Sequence, residues 1–379
     1  MPPRTTRAIV QTGPRLLELR ELPIPEIDDD SALLRVEACG ICGSDVEQYT
    51  GTLPVRLPLI PGHEPLGIIE QIGDRAAKRW GVNAGDRVAV ETLIPCGHCR
   101  ACVDGRYQVC RGRGAMFGYA YVPLSHPPAL WGAYADYMYL DPFSLVHKMR
   151  KDIPANIAVM FNPLGAGFRW AVELPDTGPG DSVLILGPGQ RGLASVIAAR
   201  AAGADTIIVT GLTRDAQKLA LARELGADHV IDIEQEDARA RVRELTNGHG
   251  ADVVVEVSAY APEPIAEALF YVATGGRIVL AGVKGFKPVP DFISDLIVAK
   301  EITIKGAFGV TWRAYESAIR LIESGRVPLA KMHTHDFPLE QAERAIQMLG
   351  GEIASESSIH SCLLPEQKMQ PPMNTDEHR

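Results

Sequence analysis

The sequence predicts an α/β protein made of a β-rich part and a parallel sheet with crossover helices. Up to about residue 160, short apolar runs are separated by glycine and proline, which is typical of irregular β structure. From Asp181 onward, apolar runs of strand length alternate with helical periods, which indicates repeated strand–helix–strand units. A chain of 379 residues is long enough for two domains, each with its own core.

The individual elements follow from the same patterns. In the β-rich part, strand-like runs occupy residues 33–37, 66–70 and 87–91. The parallel sheet is predicted from runs at 183–186, 206–210, 252–257 and 277–281, with helices at 192–202, 216–225 and 263–272. Two amphipathic helices at 314–324 and 339–349 and a strand-like run at 359–364 come last. The polar, proline-containing segment 364–379 is predicted to be a flexible tail.

Composition and charge exclude several classes of protein. Hydrophobic residues make up 46% and charged residues 22% of the chain, which is ordinary for a globular protein. No window has the ~18 uninterrupted apolar residues of a membrane span, so no membrane association is predicted. A formal charge of −9 argues against a nucleic-acid partner and therefore against a zinc-ribbon nucleic-acid binder. Residues 1–7 contain no apolar signal-peptide core, and we expect a cytoplasmic location.

Four of the seven cysteines fall in one short segment, Cys96-x-x-Cys99-x-x-Cys102-x7-Cys110. Four thiolates can close a tetrahedron around Zn²⁺ at about 2.3 Å each, which makes a structural site with no open position. The alternative is two disulfides or scattered buried thiols. The short spacings and the expected cytoplasmic location favour the zinc site.

A glycine motif follows the strand-like run 183–186 and reads Gly187-Pro-Gly189-Gln-Arg-Gly192. In a dinucleotide-binding fold the first glycine makes a tight turn, the second lets the backbone approach a pyrophosphate, and the third lets helix and strand pack closely. The N-terminus of the following helix then faces the phosphates. An ordinary glycine turn is the alternative, but the position between a strand and a helix favours nucleotide binding.

The end of the next strand-like run bears on the choice of cofactor. An acid there would bind the ribose 2′-hydroxyl of NAD, but this chain has Gly211. Without that carboxylate a 2′-phosphate is not repelled, and Thr213 and Arg214 could contact it. We therefore expect NADP(H) to be favoured, with NAD(H) as the alternative cofactor. The competing interpretation is that Arg214 is only a solvated residue at a helix start.

A second candidate metal set lies upstream, in Cys42-Gly-Ser44-Asp45 and in Gly62-His63-Glu64. A thiolate, an imidazole and a carboxylate suit a catalytic zinc, which usually has three protein ligands and one open position. Such a zinc would polarise an alcohol oxygen, so that hydride can pass to a nicotinamide. Ser44 could pass on the proton, and Asp45 could accept the second N–H of His63. Taken singly, Cys42 and His63 are more often core residues, but their combination with the other two motifs favours the metal site.

This ordered set of motifs resembles the zinc-containing alcohol dehydrogenases of the medium-chain dehydrogenase/reductase superfamily. The resemblance is carried by the Cys42 and His63 motifs, the four-cysteine loop and the glycine motif, and residues 275–282 and 300–306 agree with it. It covers the chain from about residue 7 to about residue 365 and is closest to the polyol and secondary-alcohol branch.

The resemblance implies a GroES-like catalytic domain, residues 1–164 and 307–379, and a Rossmann NAD(P)-binding domain, residues 165–306. It implies zinc-dependent hydride transfer between an alcohol, or its aldehyde or ketone, and NAD(P), usually in a homodimer or homotetramer. By motif, Cys42 and His63 match the catalytic zinc ligands, and Glu64 matches a nearby acid that can also ligate. The four loop cysteines match the structural zinc site.

Two positions depart from the family pattern. The third catalytic ligand is Cys, Asp or Glu in relatives, whereas the corresponding residue here is Asn162, and a neutral amide is a poorer Zn²⁺ ligand. Glu64 could be the third ligand, with water or Asn162 as the fourth, and we favour this arrangement. Alternatively, Asn162 hydrogen-bonds a zinc-bound water, or the catalytic zinc is weak or absent. Many relatives also have a proton-relay histidine where this chain has Glu47, which could relay protons or be a solvated charge.

Two other functions fit part of the pattern. A zinc-free enone or quinone reductase on the same fold needs no Lewis acid; Asn162 favours it, whereas Cys42, His63 and Glu64 argue against it. A non-enzymatic nucleotide-binding protein with structural zinc only would bind the cofactor without turnover. The small-molecule substrate stays open. The aromatic and apolar residues at Tyr49, 116–121 and 123–131 could line a pocket or belong to the core, and polyols are also compatible.

Overall fold

The computed structural model describes residues 5–114, 116–353 and 358–365. The predicted flexible tail lies, from residue 366 onward, outside the described residues. The chain divides into two compact units. The first unit contains Met1–Cys96, Arg113–Val159 and Thr334–Arg379, and the second unit contains Gly97–Gly112 and Met160–His333. The domain boundaries expected from the sequence, near residues 164 and 306, stay a prediction.

Strands and helices are numbered here along the described part of the chain. The strands are β1 (Thr5–Gly13), β2 (Leu16–Pro23), β3 (Ala32–Gly40), β4 (Pro65–Ile72), β5 (Arg87–Val90), β6 (Tyr137–Leu140), β7 (Val146–Met149), β8 (Ser182–Leu186), β9 (Thr206–Gly211), β10 (His229–Asp232), β11 (Ala251–Glu256), β12 (Val272–Leu280), β13 (Thr303–Gly306), β14 (His333–Phe337) and β15 (His360–Leu363). The helices are α1 (Gly43–Thr50), α2 (Asp74–Trp80), α3 (Arg100–Val103), α4 (Ala155–Ala158), α5 (Phe161–Phe168), α6 (Gln190–Ala201), α7 (Ala216–Glu224), α8 (Ala238–Leu245), α9 (Glu263–Tyr271), α10 (Asp295–Lys300), α11 (Trp312–Ser324) and α12 (Ala342–Leu349). None of the described helices is long and apolar enough to cross a membrane.

The first unit is the predicted β-rich part. Its larger sheet has the strand order β14-β15-β3-β4-β5-β7, with β6 also paired to β3, and β1 pairs with β2 in a separate ribbon. The pairs from β15 to β7 are antiparallel, and the core packed against them is built largely of valine, isoleucine, leucine and aromatic side chains. In β3 and β4, Cys39 pairs with Pro65, so the residues that follow β3 and precede β4 meet at one end of the sheet.

The second unit contains the predicted parallel sheet. Its strand order is β10-β9-β8-β11-β12-β13, and every neighbouring pair is parallel. This is the doubly wound order of a Rossmann fold, so the predicted fold class is confirmed. The four apolar residues of β8 from Val183 to Leu186 are buried, as expected for a parallel sheet covered on both faces. The strand order reverses between β8 and β11, and ligands of such folds bind outside the carboxyl ends of the strands at that point.

Helix α5 packs closely against two other helices of the second unit. A methyl group on Gly167 would lie 2.4 Å from the carbonyl oxygen of Ala194 in α6. A methyl group on Gly165 would lie 2.8 Å from the ring of Tyr315 in α11. Since only glycine fits at both positions, the start of α5 is held at a fixed place between α6 and α11.

Candidate active site

Cys42, His63 and Glu64 converge at the end of the larger sheet of the first unit. One ligand atom from each residue lies within 4.8 Å of the others. Cys42 is the residue before α1 and follows β3 closely, whereas His63 and Glu64 precede β4. Because the ends of β3 and β4 meet, residues about 20 positions apart in sequence supply one cluster. A thiolate, an imidazole and a carboxylate at this separation fit the ligand set of a zinc ion.

The carboxylate of Glu64 is fully buried beside the chain of β3. A methyl group on Gly40 would lie 2.3 Å from Glu64 Oε2, and the Gly40 N–H donates to the Glu64 carbonyl oxygen at 3.2 Å. The preceding turn also needs glycine, because Gly62 has φ of 92° and a methyl group there would lie 2.4 Å from the Tyr134 ring. These close approaches leave the space in which the Glu64 side chain sits next to Cys42 and His63.

Asp45 and Ser44 contact the two nitrogens of the His63 ring. Asp45 Oδ1 lies 3.2 Å from His63 Nδ1, and Asp45 Oδ2 accepts from the Cys42 N–H at 2.8 Å. Ser44 Oγ lies 3.2 Å from His63 Nε2. A proton on Nδ1 facing the carboxylate leaves Nε2 as the nitrogen that can bind a metal. Burial by itself lowers the pKa of His63, but Asp45, Tyr121 and Cys42 together raise it, so that without a bound metal the pKa lies above its usual value.

Two tyrosines of the aromatic segment 116–121 have different surroundings. Tyr119 lies in the core of the first unit, and Tyr121 lies at the candidate metal cluster. Tyr119 and Trp131 are buried in the core of the first unit, and the Tyr119 hydroxyl lies 2.6 Å from Ser144 Oγ. Tyr121 instead lies beside His63, with the two ring centroids 6.1 Å apart. Burial raises the pKa of Tyr121, so its hydroxyl stays protonated near neutral pH. The sequence does not separate these roles, because both tyrosines occur in the same apolar run.

Two further candidates from the sequence lie on α1. Glu47 is half-buried on this helix, and a role in proton transfer stays a prediction. Tyr49 is buried, and its hydroxyl donates to Glu343 Oε1 at 2.6 Å. This contact joins α1 to α12, so Tyr49 supports the packing of the first unit.

The cysteine loop holds four sulfur atoms close together. The Sγ atoms of Cys96, Cys99, Cys102 and Cys110 lie within 4.8 Å of one another. Cys99 Sγ is 3.6 Å from Cys102 Sγ and 3.7 Å from Cys110 Sγ. Thiolates bound tetrahedrally at ~2.3 Å from zinc are about 3.8 Å apart, whereas a disulfide needs about 2.05 Å. The sulfur spacing therefore fits a bound metal and not disulfides.

The glycine motif lies at the carboxyl end of β8 in the second unit. Gly187 has φ of 113°, and a methyl group on Gly192 would lie 1.9 Å from the Gly187 carbonyl oxygen. A methyl group on Gly189 meets nothing within 4 Å, so the surface of the loop is open at the residue before α6. The turn, the open backbone and the close packing agree with the tasks expected of the three glycines. The residues therefore fit a dinucleotide whose pyrophosphate lies at the N-terminus of α6.

The end of β9 carries no acid, but the end of the neighbouring strand does. Gly211 pairs with Asp232 at the end of β10. Thr213 Oγ1 donates to Asp232 Oδ2 at 2.8 Å, and the Thr213 N–H donates to Glu234 Oε2 at 2.8 Å. Arg214 is exposed at the start of the following turn. Sequence spacing alone misses these two carboxylates, because they reach Thr213 through strand pairing.

Asn162, the departure from the family pattern, lies in the first turn of α5 and is buried. Its Oδ1 accepts from Arg191 Nη2 at 3.0 Å, and its Nδ2 donates to the Tyr315 hydroxyl at 3.3 Å. Arg191 belongs to the glycine motif, and its guanidinium also lies 5.9 Å from the centre of the Trp170 ring. No role for Arg191 is predicted from the sequence, although a cation inside a glycine motif is a visible signal.

A buried ion pair lies at the point where the strand order reverses. Lys284 Nζ donates to Glu256 Oε1 at 2.8 Å and to the carbonyl oxygen of Ser258, and both charged side chains are buried. A methyl group on Gly187 would lie 3.5 Å from Ser258 Cα, so the pair is next to the glycine turn. Lys284 thus fixes the segment after β11 against the segment after β12, at the edge where the fold binds its ligand.

Two family models match the chain. The model described as "Alcohol dehydrogenase GroES-like domain" matches residues 28–151. The model described as "Zinc-binding dehydrogenase" matches residues 192–324. Together they cover the β-rich part with the Cys42 cluster and most of the Rossmann sheet.

Relatives with known names match almost the whole chain. A protein of Mycobacterium tuberculosis named "Probable alcohol dehydrogenase adh" is 46% identical over 361 residues, which cover 95% of this chain and 98% of the relative. Erythritol/L-threitol dehydrogenase of Mycolicibacterium smegmatis is 33% identical, with coverages of 96% and 98%. Among solved structures, a protein from Sinorhizobium meliloti described as a "putative zinc-binding dehydrogenase" and bound to NADP has a TM-score of 0.82, 26% identity and coverages of 95% and 99%.

Proposed function

The chain belongs to the zinc-containing alcohol dehydrogenases of the medium-chain dehydrogenase/reductase superfamily, and from this premise we propose how its own residues serve hydride transfer between an alcohol or carbonyl and NAD(P). Cys42, His63 and Glu64 would hold the catalytic zinc, which would act on a water or substrate oxygen. The observation that supports this assignment most directly is the convergence of these three ligand atoms within 4.8 Å.

The residues around this cluster orient the ligands and carry the proton. When bound, zinc supplies a Lewis acid for the substrate oxygen, and the nicotinamide takes or gives the hydride. Asp45 contacts Nδ1 of His63, so that Nε2 points away from the Asp45 carboxylate. The Ser44 hydroxyl lies 3.2 Å from Nε2 of the same ring, so it can pass on a proton. Glu47 is the alternative relay on α1.

We propose that the loop cysteines 96, 99, 102 and 110 bind a second zinc, which is structural. The sulfur separations of 3.6 and 3.7 Å support it. A site with four thiolates has no open position, so this ion stabilises the loop and takes no part in hydride transfer.

For the cofactor, we propose NADP(H) in preference to NAD(H), bound at Gly187, Gly189 and Gly192. Support comes from Gly211, which puts no carboxylate at the end of β9, and from the exposed cation Arg214 beside Thr213. The solved relative with bound NADP agrees with this choice. Asp232 and Glu234 favour NAD(H) instead, because carboxylates near Thr213 repel a 2′-phosphate and accept hydrogen bonds from ribose hydroxyls.

The assembly is proposed to be a homodimer or homotetramer in the cytoplasm. Strand β13 is the last strand at one edge of the parallel sheet, and it is largely exposed. Several large apolar side chains of the second unit are exposed as well, namely Val283, Phe286, Phe292, Ile293, Val298, Phe308 and Trp312. An open strand edge beside exposed apolar residues favours burial against a second copy.

The deciding experiment is elemental analysis of zinc per chain, combined with cofactor turnover on a panel of polyols, secondary alcohols and their ketones. We expect two zincs and substrate-dependent oxidation or reduction of the cofactor. The second candidate is a zinc-free enone or quinone reductase. It is favoured by the hydrogen bond from Arg191 to Asn162, because this bond engages the oxygen that would otherwise be available to zinc. One zinc per chain, together with reduction of enones that survives chelation, would support that candidate and contradict the proposal. Polyols are included because a relative is named for erythritol and L-threitol.

A further inference from the structure

The amide of Asn162 has both of its functional atoms engaged within the second unit. Its oxygen accepts from Arg191 Nη2 at 3.0 Å, and its nitrogen donates to the Tyr315 hydroxyl at 3.3 Å. A guanidinium can only donate, so the amide oxygen has to face Arg191 and the orientation of the amide is fixed. The oxygen is also the only atom of Asn162 that could bind a metal. A cation at 3.0 Å from that oxygen disfavours a second, divalent cation on the same atom.

The position of Asn162 is rigid because helix packing determines it. Gly167 brings α5 against α6, which carries Arg191, and Gly165 brings α5 against Tyr315 of α11. The ring centroids of Phe161 and Tyr315 are 5.6 Å apart, so the Phe161 ring packs beside Tyr315. Asn162 therefore stands between two fixed partners, one of which belongs to the glycine motif.

Arg191 is the second residue of α6, in the first turn after the open backbone at Gly189. Backbone N–H groups of this turn and the positive end of the helix are the elements that receive a dinucleotide diphosphate. The Arg191 side chain is only partly exposed, and its guanidinium lies 5.9 Å from the centre of the Trp170 ring. Contacts with Asn162 and Trp170 hold a permanent cation beside the loop, so little side-chain freedom is lost when an anion binds.

We infer that Asn162 is a positioning residue for Arg191 and not a zinc ligand, and that Arg191 binds the diphosphate of the nicotinamide cofactor. The inference rests on the proposed function in one respect, namely that the cofactor is NAD(P). Since NAD and NADP share the diphosphate, Arg191 strengthens the binding of both and does not discriminate between them. Asn162, at the position of the family's third zinc ligand, then supports the cofactor-binding loop instead of binding zinc.

The test compares Arg191→Met, Asn162→Ala, Asn162→Asp and the double variant Arg191→Met/Asn162→Ala in the full-length protein. Dissociation constants for NADPH, NADH and ADP-ribose are measured by calorimetry, and zinc per chain is measured in the same preparations. We expect Arg191→Met to raise all three constants about tenfold, as for the loss of one charge-assisted bond. Asn162→Ala should raise them severalfold with unchanged zinc, and the double variant should be no weaker than Arg191→Met alone. Asn162→Asp keeps an acceptor for Arg191 and should keep the binding near wild type.

The controls separate this inference from the proposed function. Arg223→Met, on the exposed face of α7, removes the same charge and should leave every constant unchanged. Loss of one zinc in Asn162→Ala with unchanged cofactor binding would overturn the inference and leave the dehydrogenase assignment intact. If the fold-change in the dissociation constants of the double variant equalled the product of the two single fold-changes, the inference would also be overturned, because that is the behaviour of two residues that act independently. ADP-ribose lacks the nicotinamide, so a loss confined to NADPH and NADH would overturn the assignment to the diphosphate.

Discussion

The Glu64 side chain packs directly against the main chain of Gly40 at the end of the larger sheet of the first unit. A methyl group on Gly40 would lie 2.3 Å from Glu64 Oε2 and 3.3 Å from Glu64 Cβ. These distances are shorter than any ordinary van der Waals contact, so the buried carboxylate reaches the Cys42–His63 cluster only because position 40 has no side chain.

Gly40→Ala should therefore displace the Glu64 carboxylate and release the catalytic zinc. We expect zinc per chain to fall from two to about one and kcat/KM to fall by about a hundredfold or more, as when a ligand is lost from its site. Gly43→Ala, in the adjacent motif, is the matched control, because a methyl group there meets nothing within 4 Å. It should keep both zincs. A Gly40→Ala protein with two tightly held zincs would mean that Glu64 does not ligate.

Replacing Glu64 with Gln tests the ligand itself without changing the packing. The amide has the same shape but is a poorer ligand for Zn²⁺, so the affinity of the catalytic zinc should fall by about tenfold to a hundredfold. Zinc titration with a competing chelator measures this directly, and activity should fall in parallel. Glu70→Gln is the control, because Glu70 is a partly exposed residue that pairs with Arg35. Unchanged zinc affinity in Glu64→Gln would leave water or another residue as the third ligand.

The cysteine loop should contribute to thermal stability and not to the chemical step. Cys110→Ser leaves three thiolates and should release the structural zinc, because a hydroxyl is a much weaker zinc ligand. We expect Tm to fall by at least about 5 °C, since binding free energy that favours only the folded state is lost. Protein that stays folded should keep its kcat. A loss of kcat at temperatures well below Tm would contradict a purely structural role.

The sequence predicted the clusters whose residues lie in recognisable motifs. The four loop cysteines fall within fifteen residues, and Cys42 meets His63 because two neighbouring antiparallel strands end together. The parallel sheet was predictable for a similar reason, since β8, β9, β11 and β12 each appear as an apolar run of strand length.

Contacts that depend on helix packing or strand pairing were not accessible in the same way. Asn162 and Arg191 are 29 positions apart, and their contact requires the close approach of α5 and α6 at Gly167. The acids at Thr213 are Asp232 at the end of β10 and Glu234 just after it, and β10 is short and only partly buried, so it has no strong apolar signal. The two roles within residues 116–121 are likewise set by burial, because Tyr119 and Tyr121 share one chemical type.

Tyr119 predicts a dependence of stability on alkaline pH. Burial raises its pKa above the usual value of 10, against the opposing effect of the Ser144 hydrogen bond. The unfolded chain therefore ionises this tyrosine first, so its contribution to folding is complete below pH 10 and is lost as the pH rises beyond it. Urea unfolding at pH 9, 10 and 11 should show a smaller decline for Tyr119→Phe than for wild type, by about 1.4 kcal/mol per pH unit above 10. Parallel declines in the two proteins would contradict the assignment.

The preference between NADPH and NADH should depend on the balance of charges around Thr213. Arg214→Gln should lower kcat/KM for NADPH about tenfold and leave NADH unchanged, because only NADPH carries a 2′-phosphate. Glu234→Gln should act in the opposite direction, since it removes a carboxylate that accepts the Thr213 N–H at 2.8 Å. Arg223→Gln, with the same charge change in the last turn of α7, is the control.

Gly211→Asp is a less direct test of the same preference. A Cβ at this position would lie 2.9 Å from the Pro188 ring of the glycine motif and 3.1 Å from Leu219, so an added side chain disturbs the loop that binds both cofactors. We expect weaker binding of NADPH and NADH together, with the larger loss for NADPH because the new carboxylate repels its phosphate. An NADPH-to-NADH ratio of kcat/KM that stays constant in Arg214→Gln, Glu234→Gln and Gly211→Asp would mean that this end of β9 does not contact the 2′ position of the ribose.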